Sequence, residues 1–302
     1  MSQTATSQML QRGKRRRHLK NNLTAYAFIA PLMILFCTFV IYPVVEGFHL
    51  SLYDRDFYWN VYTGLGNYQE LLRDSIFFTA FKNTLIYMFF VTVMTILIGF
   101  LIGAALFDKN PKYMMIARGS IYLPVIMSMV VMSIIWTWML NPALGLIPYL
   151  MKSLGMEEIN FLGDKRYAVG TVTLMIWYFQ IGQAVILYIA AMLNLNTEVI
   201  ESAEIDGANR TTVVFRIIWP LVKPVTSYLL ITTLINVMRS FSVINLMTSG
   251  GPYYSTINLM YYCYKTTFTD GRIGYGACVG VIMFLVVLIL SSFRMKELVQ
   301  DV

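Results

Sequence analysis

The chain of 302 residues is 57% hydrophobic and 13% charged, with a formal net charge of +7. A soluble domain carries about 25% charged residues, so this composition excludes a sizeable soluble domain. With three cysteines, two of them in apolar runs, and two histidines, neither a disulfide framework nor a zinc site of the usual spacing is expected.

The N-terminal segment, residues 1–23, contains the basic block Arg12-Gly13-Lys14-Arg15-Arg16-Arg17-His18-Leu19-Lys20. Placed directly before an apolar run, such a block is held in the cytoplasm. It fits anionic lipid headgroups, and no nucleic-acid partner is expected. The apolar run behind it is too long for a signal peptide and lacks a clear small-residue cleavage site, so the segment is expected to be retained. Residues 24–302 then read as a single transmembrane domain. The stretches 21–45, 83–107, 119–151, 167–197 and 273–293 hold no Asp, Glu, Lys or Arg, and a sixth, about 224–247, is broken only by Arg239. Each can supply the roughly 20 apolar residues of a membrane helix. In lipid the backbone must satisfy its own hydrogen bonds, so these runs predict an all-α integral membrane protein of six spans. Both termini fall on the cytoplasmic side, an orientation that rests on the basic block.

The first span, 24–45, contains Pro31 and Pro43. The outer loop 46–80 is crowded with Tyr53, Phe57, Tyr58, Trp59, Tyr62 and Tyr68, which suits a membrane–water interface. Within it Gly64-Leu65-Gly66-Asn67 predicts a turn, with Asn67 capping a short helix over 68–73. The second span covers 84–107, and a short inner loop, 108–112, leads to a third span over 116–140 that ends at Asn141-Pro142. An outer segment broken by Gly145, Pro148, Gly155 and Gly163 carries Glu157, Glu158, Asp164, Lys165 and Arg166. Those charges form either a solvated face or a contact for a binding protein. The fourth span is 167–193, and an acidic hairpin occupies 194–223. The fifth span, 224–247, stops at Gly250-Gly251-Pro252, and an outer loop leads to the sixth, 273–293. No internal repeat is present.

The hairpin is the most informative stretch. Asn196 can cap a helix starting at residue 197, with Glu198 in its first turn. Gly207 is placed as its left-handed terminator. A second short helix can start near Thr211 or Thr212 and stop before Pro220. Ala203, Gly207 and Ala208 leave little bulk, so another backbone can approach closely. Glu201, Glu204 and Asp206 offer acceptors to Arg or Lys of a partner. A plain solvated loop would use the same residue types.

Glu201-Ser202-Ala203, then Asp206-Gly207-Ala208, then Phe215, Ile218, Pro220 and Pro224 resembles the signature loop of binding-protein-dependent ABC transporter permeases. The chain departs from that pattern at Ser202 and Trp219, where Ala and Leu are usual. Pro31, Gly64-Leu65-Gly66-Asn67-Tyr68, Asn83-Thr84, Asn141-Pro142 to Gly145-Leu146, and Met247-Thr248-Ser249-Gly250-Gly251-Pro252 are similar to the carbohydrate-uptake branch. The resemblance implies the fold of a type I ABC importer permease, with six transmembrane helices and a cytoplasmic coupling-helix hairpin between spans four and five. It also implies separate ATPase subunits that bind ATP and Mg, a second and different permease chain, an extracytoplasmic solute-binding protein and a sugar or oligosaccharide substrate. The site would be the cell membrane of a prokaryote. The chain itself would be no enzyme and would bind no cofactor, and no Gly-x-x-x-x-Gly-Lys-Ser/Thr phosphate loop occurs in it.

Polar residues within the spans bear on the substrate path. Thr232, Asn236, Arg239 and Ser240 can share one stripe of the fifth helix. On the fourth span Thr173, Trp177, Gln180 and Ala184 share a face, with Tyr178 and Gln183 beside it. An intramembrane Arg costs about 2.5–3.5 kcal/mol, so Arg239 is expected to face a cavity or a partner chain. Indole, phenol, amide and guanidinium groups together suit a sugar. A structural polar network between helices would use the same amides. Two other classes are weaker. A secondary transporter or channel would need intramembrane carboxylates, and a membrane-embedded glycan enzyme would need paired carboxylates or a metal cluster.

Overall fold

The computed structural model describes residues 26–300, with side chains as far as residue 292. The basic block and the segment 1–23 lie outside the described residues. Helix α1 covers Tyr26–Leu50. It widens to a π-turn over Cys37–Ile41, immediately before Pro43, which has no N–H to offer the ladder. The helix runs past the expected end at residue 45 and takes in Glu46 and His49, 3.7 Å apart.

The loop after α1 is more ordered than the all-α reading allows. Strands β1 (Tyr53–Arg55) and β2 (Asn60–Tyr62) form an antiparallel pair in which Tyr53 faces Tyr62. Aromatic and β-branched residues favour such pairing. Helix α2 is Gly66–Leu71, and Asn67 does not cap it. The Asn67 side chain is buried and donates to the carbonyls of Ser51 (2.9 Å) and Tyr53 (2.8 Å), so it ties the strand to the helix instead.

Helix α3, Ser75–Leu106, begins nine residues before the expected start at 84, because Asp74 accepts from the Ile76 amide at 2.8 Å and caps it. The expected third span is not one helix. Helices α4 (Pro111–Ile126) and α5 (Met129–Met139) meet at a 95° bend. Pro124 weakens the last turn of α4, and Met127 and Ser128 are extended. Helix α6 is Leu146–Ser153 and α7 is Lys165–Leu193. The hairpin helices follow: α8 (Thr197–Ile205) and α9 (residues 210–221). Helices α10 (Lys223–Met238) and α11 (Phe241–Met247) make up the fifth span, interrupted at Arg239-Ser240. Helix α12 (Leu259–Tyr264, continued as a π-turn over Lys265–Thr269) precedes α13 (Ile273–Gln300). Among the described residues five helices are thus long and apolar enough to cross a membrane, and the bent α4–α5 pair makes a sixth span if counted as one.

Close backbone approach sets the packing. A Cβ on Gly99 or Gly103 would lie 2.9 Å from the Cβ of Ala184 or Tyr188, so the Gly-x-x-x-Gly spacing on α3 seats α7. A Cβ on Gly182 would lie 2.5 Å from the Ile121 carbonyl, where α7 crosses α4. Backbone cannot step aside as a side chain can. Gly182→Ala is therefore expected to cost about 1–3 kcal/mol, seen as a lower midpoint of thermal unfolding in detergent.

The segment 248–258, expected as an outer loop, folds back against α3. Asn83 Nδ2 donates to the carbonyls of Ser255 (2.7 Å) and Ile257 (3.0 Å), and Tyr87 Oη donates to that of Thr256 (3.0 Å). The Leu259 amide donates to Thr84 Oγ1 at 2.9 Å. Asn83 lies about 12 Å along α3 from its start at 1.5 Å rise per residue. At the start of α3, Asp74 accepts from the hydroxyls of Tyr262 and Tyr275, and just before it Arg272 grips Glu70 with two bonds of 2.7 and 2.6 Å. Partial burial pushes the Asp74 carboxyl up. The hydrogen bonds from Tyr262, Tyr275 and the amides of Ile76 and Phe77 outweigh it and hold the pKa below the ordinary value.

Candidate functional site

The hairpin forms as its residues dictate. Asn196 accepts from the Glu198 amide at 3.0 Å and starts α8. At the other end Gly207 has φ +83°. The Ala208 amide bonds the Ala203 carbonyl (2.9 Å), and the Gly207 amide bonds that of Glu204 (3.0 Å), which closes a Schellman motif. Asn209 then accepts from the Thr212 amide at 2.8 Å and starts α9. That helix does not stop before Pro220. It opens into a π-turn over Val213–Ile218, and Pro220 sits in the first turn of the resumed α-helix, where no donor is needed.

The two helices differ in anchorage. Val213, Val214 and Ile218 of α9 enter a buried cluster with Phe100 and Ala104 of α3 and Tyr188 and Met192 of α7. Phe100 and Trp219 meet edge to face at 4.5 Å. Helix α8 contributes no buried residue and rests mainly on α9. Ala203 and Ala208 are half-buried, whereas Glu201, Glu204, Asp206 and Gly207 are exposed. Among the described residues the carboxylates of Glu201, Glu204 and Asp206 make no ion pair and no side-chain hydrogen bond. Ile205, between the last two, is 86% exposed. The helix thus presents free acceptors and, in Ile205, an almost fully exposed apolar side chain. Sequence reasoning missed the residues that hold it. Arg210 forks onto Asp108 at 3.0 and 3.2 Å and reaches the Ala104 carbonyl at 3.3 Å. An Arg two residues after the hairpin turn, with an Asp in the preceding inner loop, was the available signal.

The polar residues of the spans divide into two groups. Gln180 is only 8% exposed, and Asn236 Nδ2 donates to its Oε1 at 3.4 Å, so α7 and α10 are joined there. Tyr178 stacks edge-on against Trp136 of α5 at 5.7 Å. Trp177 is half-buried, its indole N–H buried without an acceptor among the described residues. Gln183 is half-buried on α7. The expected stripe of four residues on the fifth helix does not form, because α10 ends at Met238. Ser240 lies beyond that break, buried, donating to the Val237 carbonyl at 2.6 Å and accepting from Asn258 at 3.4 Å. Its hydroxyl is occupied in closing the break. Arg239 is exposed at the interruption, and its guanidinium has no partner among the described residues. A second arginine, Arg118 on α4, was passed over. Its Nε and one Nη are buried without a partner among the described residues.

This is a multi-span helical membrane protein with an exposed acidic helical hairpin between its fourth and fifth spans. Residues 95–301 match the family described as "Binding-protein-dependent transport system inner membrane component", and the chain belongs to that family. Among curated relatives it is similar to the lactose transport system permease LacF of Rhizobium radiobacter, 31% identical over 90% of this chain and 93% of that one. It is also 29% identical to the probable ABC transporter permease YurN of Bacillus subtilis, over 92% and 96% of the two chains. The fold matches a chain of a bacterial ABC transporter that imports the acidic polysaccharide alginate, with a TM-score of 0.83 at 22% identity over 94% and 98% of the two chains. The chain is accordingly a permease component of an ABC transport system and not a catalytic enzyme.

Proposed function

We propose that the chain is one of two different permease subunits of an importer for a sugar or oligosaccharide. It works by alternating access, with N-terminus, C-terminus and hairpin in the cytoplasm of a prokaryotic cell. Separate ATPase subunits bind ATP and Mg and dock on Glu201, Ala203, Glu204, Asp206, Gly207 and Ala208. An extracytoplasmic solute-binding protein delivers the substrate at the opposite end. The observation that carries this reading is a helix with free carboxylates, terminated by its own Schellman motif and resting on a second helix that is itself packed against two spans. Relatives named for lactose and arabinooligosaccharides support the substrate class. Residues 1–23 form a cytoplasmic extension, and 24–302 form one membrane domain.

Co-purification tests the reading. The chain, tagged and extracted from its native membrane, is expected to bring with it an ATPase and a second permease, and proteoliposomes of that complex to import labelled sugar only with internal ATP. Import by the chain alone, without ATP, would sink it.

In the same reading Arg239 faces the path beside Trp177, Tyr178, Gln180, Gln183 and Asn236. A hydrogen bond to a charged group contributes about 1.5–3 kcal/mol, so Arg239→Ala is expected to lower uptake about tenfold or more in a fully assembled complex. Uptake at the normal rate would remove Arg239 from the path.

A further inference from the structure

Helix α8 rests mainly on α9 and stands apart from the end of α3. A groove of about 430 Å³ separates it from the end of α3 and the loop behind it, lined by Ile200, Glu201 and Glu204 on one side and Phe107 and Asp108 on the other. With no side chain of α8 buried, a push on this helix could be absorbed by tilting into the groove. Beside the apolar packing of α9 on Phe100 and Ala104, one polar connection crosses to α3 at the turn end of the hairpin. Among the described residues, only Arg210 makes side-chain hydrogen bonds that leave the hairpin helices, to Asp108 at 3.0 and 3.2 Å and to the Ala104 carbonyl at 3.3 Å. The planar guanidinium holds the carboxylate with a fork, which fixes direction as well as distance. Ala104 is among the last residues of α3, whose carbonyls have no helical partner, and a cation there also meets the negative end of the dipole.

Helix α3 is one unbroken rod of 32 residues. Its other half carries Asn83, Thr84 and Tyr87, which grip the segment 255–259. From Ala104 to Asn83 the rod covers about 32 Å.

We infer that Arg210 and Asp108 are a positioning pair that transmits movement of the hairpin to α3, and through it to the 248–258 segment at the opposite end. The inference rests on the reading of α8 as the ATPase contact. Both side chains of the pair are about half exposed, 54% and 45%, and such ion pairs add little to stability. Removing the pair leaves assembly intact while loosening transmission.

The test uses the complete complex of both permeases and the ATPases, reconstituted with its solute-binding protein. Assembly is checked by co-purification. Import of labelled sugar and ATP hydrolysis are measured together. Arg210→Glu and Asp108→Lys, each alone, are expected to lower sugar imported per ATP about fivefold or more with hydrolysis retained. The double exchange, Arg210→Glu with Asp108→Lys, restores the ratio. Single variants that keep the wild-type ratio, or a double exchange that fails to restore it in an assembled complex, overturn the inference. A wild-type complex that imports without hydrolysing ATP overturns the importer reading itself, and this inference with it.

Discussion

Gly207→Val is expected to separate ATP hydrolysis from uptake while the chain still inserts and assembles. The reason is local. Gly207 holds φ +83°, and no atom lies near the place a Cβ would take, so the objection to a side chain is backbone strain and not crowding. A left-handed residue other than glycine costs about 1–2 kcal/mol, and β-branching makes it worse. The cheapest relief is to unwind the last turn of α8, with loss of the bonds from Ala208 to Ala203 and from Gly207 to Glu204. Glu204 and Asp206 then leave their places on the face proposed to meet the ATPase. Uptake should fall about tenfold or more, in step with about 1.4 kcal/mol of lost coupling. Gly207→Asn is the control. Asparagine tolerates this conformation, so it should keep most of the activity. Full coupling in the valine variant would mean that the turn does not take part.

The second large effect is on the fold. Asn83→Leu keeps the volume at a buried position but leaves the carbonyls of Ser255 and Ile257 without donors. Each orphaned group costs about 1–3 kcal/mol, so the chain should lose about 2–5 kcal/mol and its unfolding midpoint in detergent should drop by several degrees or more. Tyr87→Phe removes one bond, to the Thr256 carbonyl, and should cost about 1 kcal/mol. The order of the two variants is the diagnostic. Equal small effects would show that the 248–258 segment is held by its own bonds, such as that from Thr256 Oγ1 to the Gly251 carbonyl.

Much of the hairpin was legible in advance because its devices are local. A cap needs Asn196 and an amide two residues on, and a left-handed terminator needs a glycine, so spacing alone places both. The spans were legible for a similar reason, since apolar length is a property of a window. Other expectations failed where a residue answers to a distant part of the chain. Asn67 has the right place for a helix cap but satisfies two carbonyls of the preceding segment. Ser240 has the right offset for a stripe with Asn236, yet the helix between them breaks. Pro124 marked a weak point in the third span, but the 95° turn also depends on two extended residues and on α7 crossing close at Gly182. Arg210 and Asp108 are 102 residues apart, and no local pattern pairs them.

The order of the residues by itself settles that this chain lives in a membrane, roughly where it crosses, and that a self-terminated acidic helix lies between the fourth and fifth crossings. Those outcomes follow from hydropathy over a single helix and from hydrogen bonds reaching two to five residues. What only the tertiary structure decides is which spans touch, that α3 holds the hairpin at one end and the 248–258 segment at the other, and which polar side chains remain free. The physical reason is that backbone contact at Gly99, Gly103 and Gly182, and donors such as Asn83 and Arg210, act between groups far apart in the chain, where the partner of a residue is set by packing.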